Sequence, residues 1–203
     1  MNRDPICMKN DMLKTFYSKQ DLEETVARLG KEITEDYRGK TPVMVAVLKG
    51  AFIFMADLVR AIEIPCTVDF MVVSSYGKGT VSSGSVKIIK DLDTNIEGKD
   101  VIIVEDILDS GITLSNLIRL LQQRRPASIK ICTLFDKPAR HKVQINVDYN
   151  GLEVPDEFIV GYGLDYAEIY RNYPEIAFLF DLDRIFLAKH IFPSVGIFGY
   201  EFA

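Results

Sequence analysis

Two short apolar runs constrain this chain more than any other feature. Val43-Met44-Val45-Ala46-Val47-Leu48 and Val101-Ile102-Ile103-Val104 are continuous and rich in β-branched residues. A run of strand length with no apolar–polar alternation reads as a strand covered on both faces, hence a parallel sheet. Each run passes into a polar, glycine-bearing turn and then into apolar residues at helical spacing. Phe52, Met55, Ala56, Val59 and Ile62 follow the first; Leu114, Leu117, Ile118, Leu120 and Leu121 follow the second. The fold class is therefore α/β: an open, mainly parallel central sheet flanked by helices.

The rest of the chain fits around that frame. Residues 1–17 carry no strong signal. Ser18 reads as an N-cap, with Asp21, Glu23 and Glu24 at the positive end of a helix whose apolar stripe is Leu22, Val26, Leu29, Ile33 and Tyr37. Cys66 to Ser75 reads as a strand and Val86 to Ile89 as its return. The polar segment between them, residues 76–85, is either a mobile lid or an ordinary surface loop. Ile129 to Phe135 is a further strand, residues 139–154 look loop-like, Phe158 to Gly163 is strand-like, and Ile176 to Phe180 is a last short apolar run. Residues 181–203 form an apolar extension that Arg184, Lys189 and His190 interrupt. It either packs on the domain or joins subunits.

Composition excludes some functions. A net charge of −5 argues against a nucleic-acid footprint, which is normally basic. No uncharged apolar run reaches the roughly 18 residues a membrane span needs. The N-terminal Met-Asn-Arg-Asp-Pro lacks the apolar core of a signal peptide. Cys7, Cys66 and Cys132 make neither a zinc pattern nor a disulfide framework, so a cytoplasmic, reducing setting is expected.

The chemistry concentrates after the second run. Glu105 and Asp106 stand where that strand is expected to end, and Asp109, Ser110, Gly111 and Thr113 lead into the helix. A helix start behind a small, glycine-containing loop offers N–H donors to an anion. Carboxylates beside it suit hydroxyls or a metal, so a phosphorylated sugar is the working ligand. Lys49, between the first run and its helix, is either a surface lysine or a partner for the same anion.

Val-Ile-Ile-Val-Glu-Asp-Ile-Leu-Asp-Ser-Gly-Ile-Thr, residues 101–113, resembles the phosphoribosyl-diphosphate (PRPP) motif of the type I phosphoribosyltransferases. Leu48-Lys49-Gly50 resembles that family's pyrophosphate loop, and Ser74-Ser75-Tyr76-Gly77 the start of its flexible loop. Phe158 to Asp165, with Tyr170-Arg171-Asn172, resembles the purine hood of the hypoxanthine-guanine branch in its bacterial form. The resemblance runs through residues 12–180 and implies one phosphoribosyltransferase domain, 1–180, its hood made from residues 1–17 and about 139–180.

It also implies a reaction: PRPP plus hypoxanthine or guanine gives IMP or GMP and pyrophosphate, with Mg²⁺ as cofactor. Asp109 is implied as the general base toward the purine, with capping of the following helix as the alternative. Ser110, Gly111, Ile112 and Thr113 are implied for the 5′-phosphate, and Glu105 and Asp106 for the ribose hydroxyls. Glu105, Asp106 and Asp165 are implied for the metal, and Lys49, Gly50 and Arg171 for pyrophosphate. Lys137 is implied for the 6-oxo group, Ile159 for the base edge through its backbone, Asp165 for the purine as well as the metal, and Phe158 for stacking, although a lone Phe in an apolar run otherwise reads as core. The peptide joining Leu48 and Lys49 is implied to be cis. A homodimer or homotetramer without nucleic-acid or membrane partners is implied. A PRPP-sensing regulator of the same fold, or xanthine-guanine specificity, is the alternative.

Overall fold

The computed structural model describes residues 13–75 and 86–179. Tyr76 and Gly77 of the implied flexible loop, and the apolar extension 181–203, lie outside them. The chain divides into two units, residues 23–156 and residues 1–22 with 157–203.

The larger unit holds a six-stranded sheet in the order β4-β3-β2-β5-β6-β7. Its strands are β2 Val43–Leu48, β3 Thr67–Ser75, β4 Val86–Lys90, β5 Asp100–Leu108, β6 Ser128–Asp136 and β7 Tyr149–Glu153. All neighbours are parallel except β3 and β4, which form the expected hairpin. The two runs that set the fold class are β2 and the first half of β5, and Val43 to Ala46 pair with Val101 to Val104. All eight of these side chains are buried, as a strand covered on both faces requires. Helix α2, Phe52–Ala61, follows β2, and α3, Ile112–Gln122, follows β5.

Helix α1, Lys19–Asp36, precedes β2 and crosses from the smaller unit into the larger. It starts as its sequence predicts. Ser18 Oγ accepts the Asp21 N–H at 3.2 Å, and Asp21 Oδ2 accepts the Ser18 N–H at 2.8 Å, a reciprocal cap. Its Gly30 lies where a Cβ would come within 2.6 Å of Ala61, so the glycine lets α1 and α2 approach closely. Cys132 is fully buried, and burial pushes its thiol far above the ordinary range, which makes it inert packing.

Two expectations need correction. Residues 139–154 are not loop throughout and do not join the hood: β7 lies within them and adds a parallel edge strand to the central sheet. Tyr149-Asn-Gly-Leu-Glu153 carries too few β-branched residues to announce itself. Residues 13–17, which gave no signal, form β1 Leu13–Tyr17, antiparallel to β9 Ile176–Leu179. With β8, Ile159–Val160, they make the three-stranded sheet of the smaller unit, in the order β1-β9-β8. Three of the five residues of β1 are exposed, so its two-residue period has little apolar weight behind it.

Asp69 on β3 gives the sheet a pH-sensitive anchor. Its buried carboxylate accepts N–H groups from Phe70 and Thr94, both at 2.7 Å, and Lys90 Nζ lies 3.8 Å away. Burial works to raise the pKa, but the donors and the cation together outweigh it, and the group sits below its ordinary value. A depressed folded-state pKa stabilises above the unfolded value of about 3.9, and that contribution disappears as pH falls through the folded value. Asp69→Asn is expected to cost about 1–3 kcal/mol in urea unfolding at pH 7, with the gap closing below about pH 4. An equal gap at pH 3 and pH 7 would refute this.

Candidate active site

The strand order places the site. From β2 the chain runs outward through β3 to β4, then returns to the other side of β2 as β5 and continues outward to β6 and β7. The loops leaving β2 and β5 therefore diverge, and a crevice opens at their carboxyl ends. Lys49-Gly50 follows β2. Contrary to expectation, β5 does not stop at Val104. It continues to Leu108 because β6 keeps pairing with it, as far as Leu108 opposite Asp136. Pairing with β2 ends at Val104, so from Glu105 onward one edge of β5 is released toward the crevice.

Glu105 and Asp106 leave opposite sides of this strand and differ accordingly. Glu105 is buried, and desolvation, helped by the neighbouring Asp106 charge, pushes its carboxyl well above the usual carboxylate range. Asp106 is only partly buried. Its Oδ1 accepts the Ile107 N–H at 2.9 Å, and its other oxygen rests against Gly50. A Cβ at position 50 would fall 1.5 Å from Asp106 Oδ2, so only glycine lets the β2 turn and the acidic end of β5 meet. The Leu48–Lys49 peptide is cis, as the resemblance implied.

Beyond β5, Asp109-Ser110-Gly111 turns the chain into α3. Gly111 is the residue before the helix, at φ +76°, a left-handed conformation that favours glycine. Gly111 has no side chain with which to cap α3, and Asp109 makes no capping hydrogen bond to it. The first N–H groups of a helix lack intrahelical partners, and among the described residues only Ser110 Oγ approaches one of them, 3.4 Å from the Ile112 nitrogen. Ile112 and Thr113 thus begin a helix whose donors face outward from its N-terminus, the arrangement that receives a phosphate.

The segment after β6 is tied to this loop. The Lys137 N–H donates to Leu108 O at 2.9 Å, and the Lys142 and Val143 N–H groups both donate to Ser110 O, at 3.0 and 3.2 Å. Lys137 is buried, at the start of a short 3-10 turn over Pro138–Arg140. Sequence reasoning missed Arg140, whose Nε lies 2.7 Å from Asp109 Oδ1. It also missed His141, whose Nε2 lies 2.6 Å from Asp136 Oδ1. Pro-Ala-Arg-His carries no spacing that would mark either one.

Ser74 and Ser75, predicted for the flexible loop, end β3 in the larger unit, paired with Lys87 and Val86 of β4; the remaining predicted residues that the structure describes lie in the smaller unit. Phe158 is half-buried against Val160, Tyr166, Tyr170 and Leu179, and meets Tyr166 edge-to-face at 5.5 Å. Ile159 is buried in β8. Asp165 and Arg171 hold each other: Arg171 Nη2 is 2.7 Å from Asp165 Oδ1, and Nη1 donates to Gly163 O at 2.7 Å. The Arg171 Nε is buried without a hydrogen-bond partner among the described residues. Asp165 Oδ2 also accepts the Glu168 N–H at 2.8 Å. Tyr162, Ala167, Glu168 and Tyr170 all have positive φ, so this loop is held in conformations that L-residues rarely adopt.

Among the described residues no cluster of three or more His, Cys, Asp or Glu side chains is arranged to hold a metal ion. The donors present instead suit Mg²⁺ carried largely by phosphate and sugar oxygens, which needs only one or two protein carboxylates and several waters.

Comparison with known proteins agrees with this geometry. Residues 12–167 match the family model of the phosphoribosyl transferase domain. The hypoxanthine-guanine phosphoribosyltransferase of Bacillus subtilis is 55% identical over 172 residues, 85% of this chain and 96% of that protein. Among solved structures, a hypoxanthine-guanine phosphoribosyltransferase from Bacillus anthracis superposes with a TM-score of 0.80 at 49% identity, covering 83% of this chain and 99% of that one. A hypoxanthine phosphoribosyl transferase of Trypanosoma cruzi, solved in a study of how its C-terminal region affects oligomeric state and activity, gives a TM-score of 0.83 at 35% identity. It covers 91% of this chain and 100% of that one.

Proposed function

The chain belongs to the phosphoribosyl transferase domain family, and from that premise we propose that it is a purine-salvage enzyme. It transfers the 5-phosphoribosyl group from PRPP to hypoxanthine or guanine and releases pyrophosphate with IMP or GMP. The observation that carries the PRPP half is the meeting of Gly50 and Asp106 at the sheet's switch point, on the strand whose following turn opens the N-terminus of α3.

Breaking the bond between C1′ and pyrophosphate builds positive charge on the ribose. The chain's task is to position both reactants, stabilise the leaving group and take up the proton of the base. Asp109 to Thr113 receive the 5′-phosphate through backbone N–H groups and the Ser110 and Thr113 hydroxyls. Glu105 and Asp106 accept the ribose 2′- and 3′-hydroxyls, Asp106 being the more accessible of the two. Lys49 and Gly50 are assigned to the pyrophosphate, and so is Arg171, whose pairing with Asp165 is what the ligand would replace. Glu105 and Asp106 would contribute to the shell of one Mg²⁺, and Asp165 is assigned to a second, directly or through water; the metal would neutralise charge on the departing pyrophosphate.

At the base, Asp109 removes or shares the N7 proton, Phe158 stacks on the ring, and the Ile159 backbone reads the Watson–Crick edge. Lys137 donates to the 6-oxo oxygen, which excludes adenine because its 6-amino group would meet a cation. Exposed Phe52, Val68 and Phe70 in the larger unit favour a homodimer or homotetramer. No helix among the described residues is long and apolar enough to cross a membrane, and the enzyme is proposed to be cytoplasmic.

One assay tests the function: PRPP and Mg²⁺ with hypoxanthine, guanine, xanthine, adenine and uracil in parallel. Turnover of the first two alone is expected. Turnover of none would favour a PRPP-binding regulator, and turnover of xanthine with guanine would favour xanthine-guanine specificity. In the same panel Lys137→Ala is expected to lower kcat/KM for hypoxanthine about 10–100-fold, the loss of one charged hydrogen bond, and to narrow its preference over adenine. An unchanged preference would sink the role given to Lys137.

A further inference from the structure

We infer that Arg140 is a positioning residue for Asp109, fixing which oxygen of that carboxylate is presented to the purine. The inference rests on the base role proposed for Asp109. Arg140 is held between two acids: its Nε is 2.7 Å from Asp109 Oδ1, and its Nη1 is 3.1 Å from Asp156 Oδ1. The contact with Asp109 is an ion pair rather than an aligned hydrogen bond, and Oδ1 has no hydrogen-bond partner among the described residues. That oxygen is sealed from solvent, yet the Asp109 side chain as a whole is 38% exposed. The two oxygens are therefore not equivalent. One is turned in toward the guanidinium, and the exposed share belongs to the other oxygen and the stem.

A carboxylate on a Ser-Gly loop would otherwise swing broadly about its terminal torsion. Only one of its orientations can meet a ring proton at hydrogen-bond distance. Arg140 can hold that orientation because its own backbone is tied to the Asp109 loop. The Lys137 N–H reaches Leu108 O, and the Lys142 and Val143 N–H groups reach Ser110 O, on either side of Asp109. The turn is braced from behind as well. His141 Nε2 contacts Asp136 Oδ1 at 2.6 Å, and Asn150 Nδ2 donates to Asp136 Oδ2 at 3.3 Å. Arg140 is half-exposed, so solvent screens the pair and leaves it little to add to fold stability. Its consequence should appear in turnover instead.

The test is steady-state kinetics on the full chain with hypoxanthine, PRPP and Mg²⁺. Arg140→Met is expected to lower kcat about tenfold while KM for PRPP stays within about twofold, because the phosphate and ribose contacts are untouched. Arg140→Lys, which keeps the charge, is expected to recover most of that loss. In an Asp109→Asn background, Arg140→Met should cost less than about twofold further, since Arg140 acts only through Asp109. Asp156→Asn, which slackens Arg140 without touching Asp109, gives a second variant with an expected fall in kcat of about twofold to threefold at unchanged KM for PRPP. An Arg140→Met enzyme with parental kcat, or one that loses the same factor in both backgrounds, overturns the inference alone. An Asp109→Asn enzyme within about threefold of the parent overturns the base role, and the inference with it.

Discussion

Asp109→Asn is expected to lower kcat by about 10²–10⁴-fold and to leave KM for PRPP within about threefold, the signature of losing proton transfer while keeping binding. The substitution is nearly isosteric, so the 109–113 loop keeps its course. Gly111 retains its left-handed conformation, and the helix donors behind it remain available to the 5′-phosphate. Asn cannot accept the purine proton. The alternative role for Asp109, capping α3, would predict a loss of stability, but Asp109 makes no capping hydrogen bond to α3. Turnover and thermal unfolding therefore separate the two roles cleanly. A kcat within about threefold of the parent would remove Asp109 from the base role, whatever its effect on stability.

Much of this site can be read from the chain because strand and loop signals coincide there. Unalternated runs identify strands buried on both faces, and their glycine-bearing ends identify the turns, so β2 with Lys49-Gly50 and β5 with Asp109 to Thr113 are readable in sequence. Their adjacency is not. Nothing in the run Val43–Leu48 says that it pairs with Val101 to Val104, and it is that register which frees the edge of β5 beyond Val104. Glu105 and Asp106 look equivalent as letters; the pleat buries one and leaves the other accessible.

Elements whose stability comes from their neighbours are the ones sequence reading loses. β1 and β7 carry little apolar periodicity and become strands because β9 and β6 offer them edges. Arg140 is lost for a different reason. Its partner lies thirty-one residues earlier in the chain, and only the bonds from residues 137, 142 and 143 to the β5 loop bring the two together. The Asp165–Arg171 pair is a comparable case within the smaller unit: each residue was assigned its own ligand, and the fold has them holding each other.

Gly50→Ala carries the other large expected effect, and it acts on binding rather than chemistry. Gly50 has no positive φ, so alanine is conformationally permitted there, and the three atoms nearest to its new Cβ all belong to Asp106. The new Cβ would sit 1.5 Å from Asp106 Oδ2 and 2.5 Å from its Cγ, which forces the carboxylate aside and breaks its 2.9 Å bond from the Ile107 N–H. A short side chain can make that move, so the fold should survive with a loss of about 1 kcal/mol. The ribose would lose a charged hydrogen bond worth about 1.5–3 kcal/mol, so KM for PRPP should rise about 10–100-fold with kcat far less affected. Because the damage runs through Asp106, a Gly50→Ala, Asp106→Ala double variant should bind PRPP no more weakly than Asp106→Ala alone. Additive losses in the double variant would mean that the added methyl also obstructs the pyrophosphate that Gly50 is proposed to hold, and that Asp106 does not carry the whole effect.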